Sequence, residues 1–162
     1  MFRKMRRFKQ EMPLEDTIKV FENGSFGTLA VSGDDGYPYA VPLNYVFADG
    51  KLYFHCAKQG HKLEALQRSP KASFCVVSQH AVVPEKLTTL FESAIAFGRA
   101  VFVGDEDKRR VLELFSKKYF SSNSDEFNEG EIQRHWNNVC LVALEIDHIS
   151  GKAEMDIINS RK

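Results

Sequence analysis

Residues 36–66 read GYPYAVPLNYVFADGKLYFHCAKQGHKLEAL. From Tyr37 the side chains alternate, with Tyr39, Val41, Leu43, Tyr45 and Phe47 on one face of an extended chain and Ala40, Pro42, Asn44 and Val46 on the other. That pattern predicts a strand with one buried side. Ala48-Asp49-Gly50 supplies a tight hairpin turn, because Asp and Gly tolerate the backbone such turns demand, and Lys51 to Cys56 returns as the antiparallel partner. After Gly60 the apolar residues Leu63, Ala65 and Leu66 make a helical stripe that ends at Ser69-Pro70, so the spacing predicts a short helix over His61–Arg68.

Working outward, Leu14, Ile18 and Phe21 predict an opening helix to Glu22, with Glu15 and Asp16 in the first turn, where the helix dipole favours them. Gly27–Val31 reads as a strand before the turn Gly33-Asp34-Asp35-Gly36. Ala72–Val77 is rich in β-formers, and Leu90–Val103 reads as one long strand or a bent pair. Glu106–Tyr119 is an amphipathic helix, Ser121–Asp125 a loop, and Glu129–Asn137 a further helix. Val139–Ile149 closes the pattern as a strand with Cys140, Val142, Leu144 and Ile146 inward. About six strands joined mainly by short turns, with two to four short helices, point to a mainly β fold, a small antiparallel barrel rather than a parallel doubly wound sheet. With 162 residues, 43% of them hydrophobic, and no repeat or linker, the chain is expected to form one domain over 1–162.

Lys plus Arg and Asp plus Glu each total 22, so no net charge draws the molecule to nucleic acid or an anionic membrane. Any bound anion must meet a local cluster. The basic opening MFRKMRRFKQEMP reads as a solvated arm, and nothing approaches the roughly 18 apolar residues of a membrane span or the pattern of a signal peptide, so a cytoplasmic location is expected. Cys56, Cys75 and Cys140 are odd in number, widely spaced and set among apolar neighbours, which suits buried reduced thiols rather than a disulfide framework. His55, Cys56 and His61 lack the spacing of a zinc site, and no metal is expected.

Chemistry concentrates at Phe54–Lys62, where a strand ends, the chain turns at Gly60 and a helix begins. Such a start holds phosphate well. Lys58, His61 and Lys62 crowd it, where positive charge ordinarily costs roughly 0.3–1 kcal/mol, so an anion would relieve that cost; an ordinary solvated basic turn fits the same residues. Pro42 cannot donate to a sheet ladder, which marks an edge strand or leaves room beside Leu43 and Asn44 for a flat heterocycle. Ala94, Ala96, Gly98 and Ala100 make one side of their strand shallow enough for a ring system, a helix or a second subunit. His55 projects away from the Phe54 and Cys56 side, as a structural group or as an acid or base. Trp136, the sole tryptophan, suits core packing, a dimer interface or a cofactor.

In order and spacing, GDDGYPYAVPLNYVF, DGKLYFHCAKQGHKLEAL and SAIAFGRAVF, with the opening MFRKMRR and the closing HWNNVCLVALEIDHISGK, resemble the 5-nitroimidazole resistance proteins. These belong to the pyridoxamine-phosphate-oxidase-like superfamily of flavin mononucleotide (FMN) binding split barrels. The resemblance implies a homodimer that binds FMN between subunits, with the phosphate gripped at Gly60-His61-Lys62 and backbone contacts to the flavin ring from Val41, Pro42, Leu43 and Asn44. It also places His55 and Cys56 along the flavin and Trp136 over it from the neighbouring subunit. The implied activity is FMN-dependent reduction of nitroimidazoles or similar small electrophiles, with a small-molecule electron acceptor and His55 as the candidate catalytic proton donor. The alternative is a non-catalytic flavin-binding protein, or a related flavoprotein with another substrate. Vitamin oxidation is disfavoured, because the tail GKAEMDIINSRK lacks the arginine and histidine clamp that a pyridoxamine-phosphate oxidase uses.

Overall fold

A computed structural model describes residues 2–161, the Gln79 side chain excepted; Met1 of the basic arm and Lys162 of the tail lie outside it. Seven strands form one antiparallel sheet, ordered β2-β1-β5-β6-β7-β4-β3. They are β1 (Phe26–Ser32), β2 (Pro38–Asn44), β3 (Val46–Ala48), β4 (Lys51–Ala57), β5 (Lys71–Val83), β6 (Thr88–Phe102) and β7 (Val139–Ala153). The helices are α1 (Leu14–Asn23), α2 (His61–Arg68), α3 (Asp105–Tyr119), α4 (Asp125–His135) and α5 (Met155–Ser160). β4 lies beside β7, three strands later, and its connection through α2 runs back to β5 beside β1, which gives a Greek-key-like crossing. The mainly β split barrel expected from the sequence is the fold observed.

The two outermost strands, β2 and β3, are consecutive in the chain, so the sheet curls until its edges meet at one residue, Tyr45. Here the structure corrects the reading of Tyr37–Phe47 as one strand. Tyr45 and Val46 are both buried, the first in the barrel core and the second beneath α3, and two consecutive buried side chains cannot continue a one-sided alternation. The Tyr45 hydroxyl donates to the Phe21 carbonyl at 2.7 Å. Its backbone N–H donates to the Tyr119 hydroxyl (3.1 Å), whose own proton is shared between the carbonyls of Tyr45 (2.5 Å) and Ser25 (2.7 Å). The hairpin that follows has Asp49 and Gly50 at φ 53° and 71°, the conformation that explains Asp-Gly at this turn.

Inside the barrel, Phe21, Leu29, Tyr45, Phe54, Phe74 and Leu144 are fully buried, and α1 packs across β5, β6 and β7. The shallow side of β6 faces this interior: Ala94 and Ala96 are fully buried in the core, so the small side chains admit protein rather than a ligand. Gly98 stands where β7 bulges at Asp147, and a Cβ there would run into the Glu145 carbonyl. A second cluster, Val46, Tyr53, Val111, Phe115, Leu141 and Ala143, lies under α3 on the outside of the barrel. β7 is therefore buried on both faces at 141–144, while Cys140, Val142, Leu144 and Ile146 point inward as expected.

Other boundaries move. β5 runs on to Val83 and β6 begins at Thr88, forming a long hairpin arm with a bulge at Ser78 that its polar sequence conceals. α4 starts at Asp125 and ends at His135, because Ser124 caps it by accepting from the Phe127 N–H at 3.2 Å. β7 continues to Ala153, and the tail adds α5, capped by the Glu154 carboxylate.

Candidate functional site

The Phe54–Lys62 segment folds as its composition dictates. β4 ends at Ala57, and Gly60 takes φ 120° and ψ 165°, a conformation essentially reserved for glycine. α2 begins at once with no side-chain cap. The Leu63 and Glu64 N–H groups both donate to the Gly60 carbonyl, at 3.0 and 3.1 Å, whereas the N–H groups of His61 and Lys62 precede the helical ladder and find no backbone acceptor among the described residues. Among the described residues, neither Lys58 nor Lys62 has a carboxylate within ion-pair distance. His61 does: its Nε2 lies 3.4 Å from Asp34, which also takes Arg68 at 2.6 Å. These donors, two backbone N–H groups and the Lys62 ammonium, fit a phosphate monoester of about −1.5 to −2 charge.

β2 comes to the same place. The Tyr39 ring stacks on His61 with centroids 4.1 Å apart and an 18° tilt, joining the edge strand to the start of α2. Val41 and Leu43 pack half-buried against the core, while Pro42 and Asn44 point outward. Pro42 stands opposite Thr28 of β1, and the other edge of β2 is unpaired, which is where a strand proline is tolerated. Asn44 is engaged, donating to the Ser25 carbonyl at 2.9 Å. Val41–Asn44 thus form an open strip along the outer edge of β2, tied to the start of α2 by the Tyr39–His61 contact.

His55 projects from β4 on the side opposite Phe54 and Cys56, as alternation requires. Its ring meets Phe115 of α3 edge-on at 5.1 Å. It opens onto a cleft of about 520 Å³ between α3, α4 and the adjoining ends of β4 and β7. Although the residue as a whole remains exposed, the cleft walls thin the hydration of its ring, and this, followed by the nearby Lys62 cation, pushes its pKa below the ordinary histidine value. His55 is therefore neutral at pH 7. Cys56 also borders the cleft and stands directly opposite Cys140 in the β4–β7 ladder. Burial, then the neighbouring thiol, pushes Cys56 up to about 11, so it stays protonated at neutral pH. All three cysteines are free, and no group of three His, Cys, Asp or Glu among the described residues could hold a metal ion.

Trp136 is not among the residues lining the cleft. It ends α4, half-buried, where Lys108 Nζ lies 4.9 Å from its ring centroid and donates to the carbonyls of Trp136 (2.5 Å) and Val139 (3.0 Å). Lys108 is itself buried and fastens α4 and β7 to α3, although its sequence reads as one more charge on an exposed helix face. The sequence reading also passed over Phe120 and Phe127. Their signal was present: two phenylalanines bracket the polar loop, and both face the cleft. No helix among the described residues is long and apolar enough to cross a membrane.

A family model described as pyridoxamine 5'-phosphate oxidase matches residues 14–153. Solved structures similar to the chain include a candidate 5-nitroimidazole antibiotic resistance protein of Bacteroides thetaiotaomicron (23% identity, 88% of this chain and 86% of that one covered, TM-score 0.72). They also include a FAD-binding protein of Mesorhizobium loti (21%, 89% and 96%, TM-score 0.65) and a FAD and heme binding protein of Mycobacterium smegmatis (19%, 90% and 73%, TM-score 0.69). At these identities the likeness speaks for a shared fold. No curated protein matches the chain.

Proposed function

The chain belongs to the pyridoxamine 5'-phosphate oxidase family, and from that premise we propose that it is an FMN-dependent reductase of 5-nitroimidazoles or comparable small electrophiles, working as a homodimer. The observation that carries this reading is the start of α2, uncapped, where among the described residues the His61 and Lys62 N–H groups and the Lys62 ammonium have no partner and Lys62 lies close enough to act on His55. Similar structures that bind flavin, and one related to nitroimidazole resistance, support it.

In this reading Gly60, His61 and Lys62 hold the phosphate of FMN. The open edge of β2 along Val41–Asn44 offers backbone groups to the flavin ring, and His55 and Cys56 border it. Bound there in its reduced form, FMN would supply the electrons that the acceptor takes up. His55 supplies a proton from its ring: a histidine with a lowered pKa is a strong acid when charged and scarce in that form at neutral pH, so turnover rises on mild acidification. Because the strip is open, a second copy of the chain provides the wall that removes the flavin ring from water, and Trp136 serves that wall. Pyridoxamine-phosphate oxidation is less well supported, since Arg161, the tail's one arginine, is engaged with Glu92 and with Asp16 at 3.3 Å.

The test is a titration of purified protein with FMN, followed by an anaerobic assay with reduced flavin and a nitroimidazole. Uptake of FMN with loss of the nitro absorbance is expected. Without FMN uptake the reading fails. FMN uptake with unchanged nitro absorbance leaves a flavin-binding protein without this activity.

A further inference from the structure

We propose that the cleft between α3, α4 and the ends of β4 and β7 is a separate pocket for a neutral, flat, fused-ring molecule, seated beside the flavin strip rather than in it, with His55 at its polar end. Its volume of about 520 Å³ lies in the range of pockets that enclose drug-sized molecules, well beyond a single five-membered ring. The lining is aromatic. Phe115 forms one wall, while Phe120 and Phe127, 51% and 58% exposed, find no protein cover for much of their surface. Exposed apolar residues scattered singly need no explanation, but two that share one cleft with Leu112 and Ile132 form a lined seat.

Charge decides what that seat accepts. Among the described residues no lysine or arginine lines the cleft, and its one carboxylate, Glu131, is paired with Arg134 and His135, each at 3.4 Å. A phosphate or carboxylate would find no cation there, so the flavin phosphate belongs at Lys62 and the cleft is left to a neutral ligand. Asn123 donates to Asn128 and Asn128 donates to the Phe120 carbonyl, both at 3.2 Å, so one N–H of each amide is engaged in holding the loop between α3 and α4. The His55 ring makes no hydrogen bond to any described residue. It is a polar group left to meet a ligand atom, as are Ser116 and Asn138 of the same lining, and its ring is held edge-on against Phe115. Only the ligand's fate as an electron acceptor rests on the flavin reading; its binding does not.

The experiment uses the whole protein, first without flavin and then saturated with FMN, and the neutral fluorescent probe N-phenylnaphthylamine. Saturable binding of one probe per chain is expected, retained when FMN is bound. Phe127→Glu and Phe120→Glu, both surface positions, should each weaken the probe by at least about tenfold, because each removes aromatic cover and adds a charge to the seat. Leu87→Ser, at the 96% exposed tip of the β5–β6 arm, should leave binding unchanged. Absence of saturable binding, displacement of the probe by FMN, or equal weakening by Leu87→Ser would each overturn the proposal. Probe binding without FMN uptake would remove the reductase reading and leave the pocket; FMN uptake without probe binding would do the reverse.

Discussion

Lys62 and His55 carry opposite parts of one electrostatic arrangement. The ammonium that disfavours a proton on His55 is the charge that would meet a phosphate in the proposed site, so occupying that site should partly restore the proton affinity of the histidine. Lys62→Ala should weaken FMN about tenfold to a hundredfold, the worth of one charge-assisted contact, read as flavin fluorescence against added protein. His55 also makes a pH prediction. The folded chain holds this proton less tightly than the unfolded chain does, so its contribution to stability is intact above about 6.5 and is lost as pH falls toward the lower folded value. Denaturant unfolding at pH 7.5 and 5.5 should therefore show a smaller loss on acidification in His55→Gln than in the parent protein.

Among the elements, the junction between β2 and β3 depends most on a distant side chain. Tyr119, at the end of α3, gives Tyr45 the hydrogen bonds that a continuous strand would have supplied from its neighbours. Tyr119→Phe leaves the Tyr45 N–H without that partner and should cost about 1–3 kcal/mol, measured as a shift in the denaturation midpoint at unchanged slope. The start of α2 depends instead on backbone freedom. Space around Gly60 is open, so Gly60→Ala meets no clash, yet the φ of 120° should make it cost about 1–3 kcal/mol. Because the His61 and Lys62 N–H groups are aimed by that same turn, FMN affinity should fall with it, and the two losses can be compared in one variant.

For the molecule as a whole, the proposed dimer would tie cofactor retention to assembly. If a second copy supplies the missing wall, dilution through the dimer–monomer transition should release FMN, and saturation with FMN should move that transition to lower protein concentration. Flavin anisotropy followed alongside sedimentation checks both directions. Unchanged FMN affinity in the monomer would show that one chain suffices.

Much of this was legible in the residues because it depends on neighbours in sequence. Period-two alternation, an Asp-Gly turn, a glycine before a basic helix start and a proline on an edge strand are local constraints, and they determined most of the strands, the 61–68 helix and the glycine turn that opens it. Contacts between distant segments were decided only by the tertiary structure. The break at Tyr45 requires Tyr119, 74 residues away; the small face of β6 could have met a ring or a helix until the barrel closed around it; and Lys108 is buried because two carbonyls, from the end of α4 and the start of β7, converge on it. The cleft beside His55 exists for the same reason. Phe115, Phe120 and Phe127 carry no mark that they share a wall with β4, since that proximity arises from burying the inner face of α3 on the outside of the sheet.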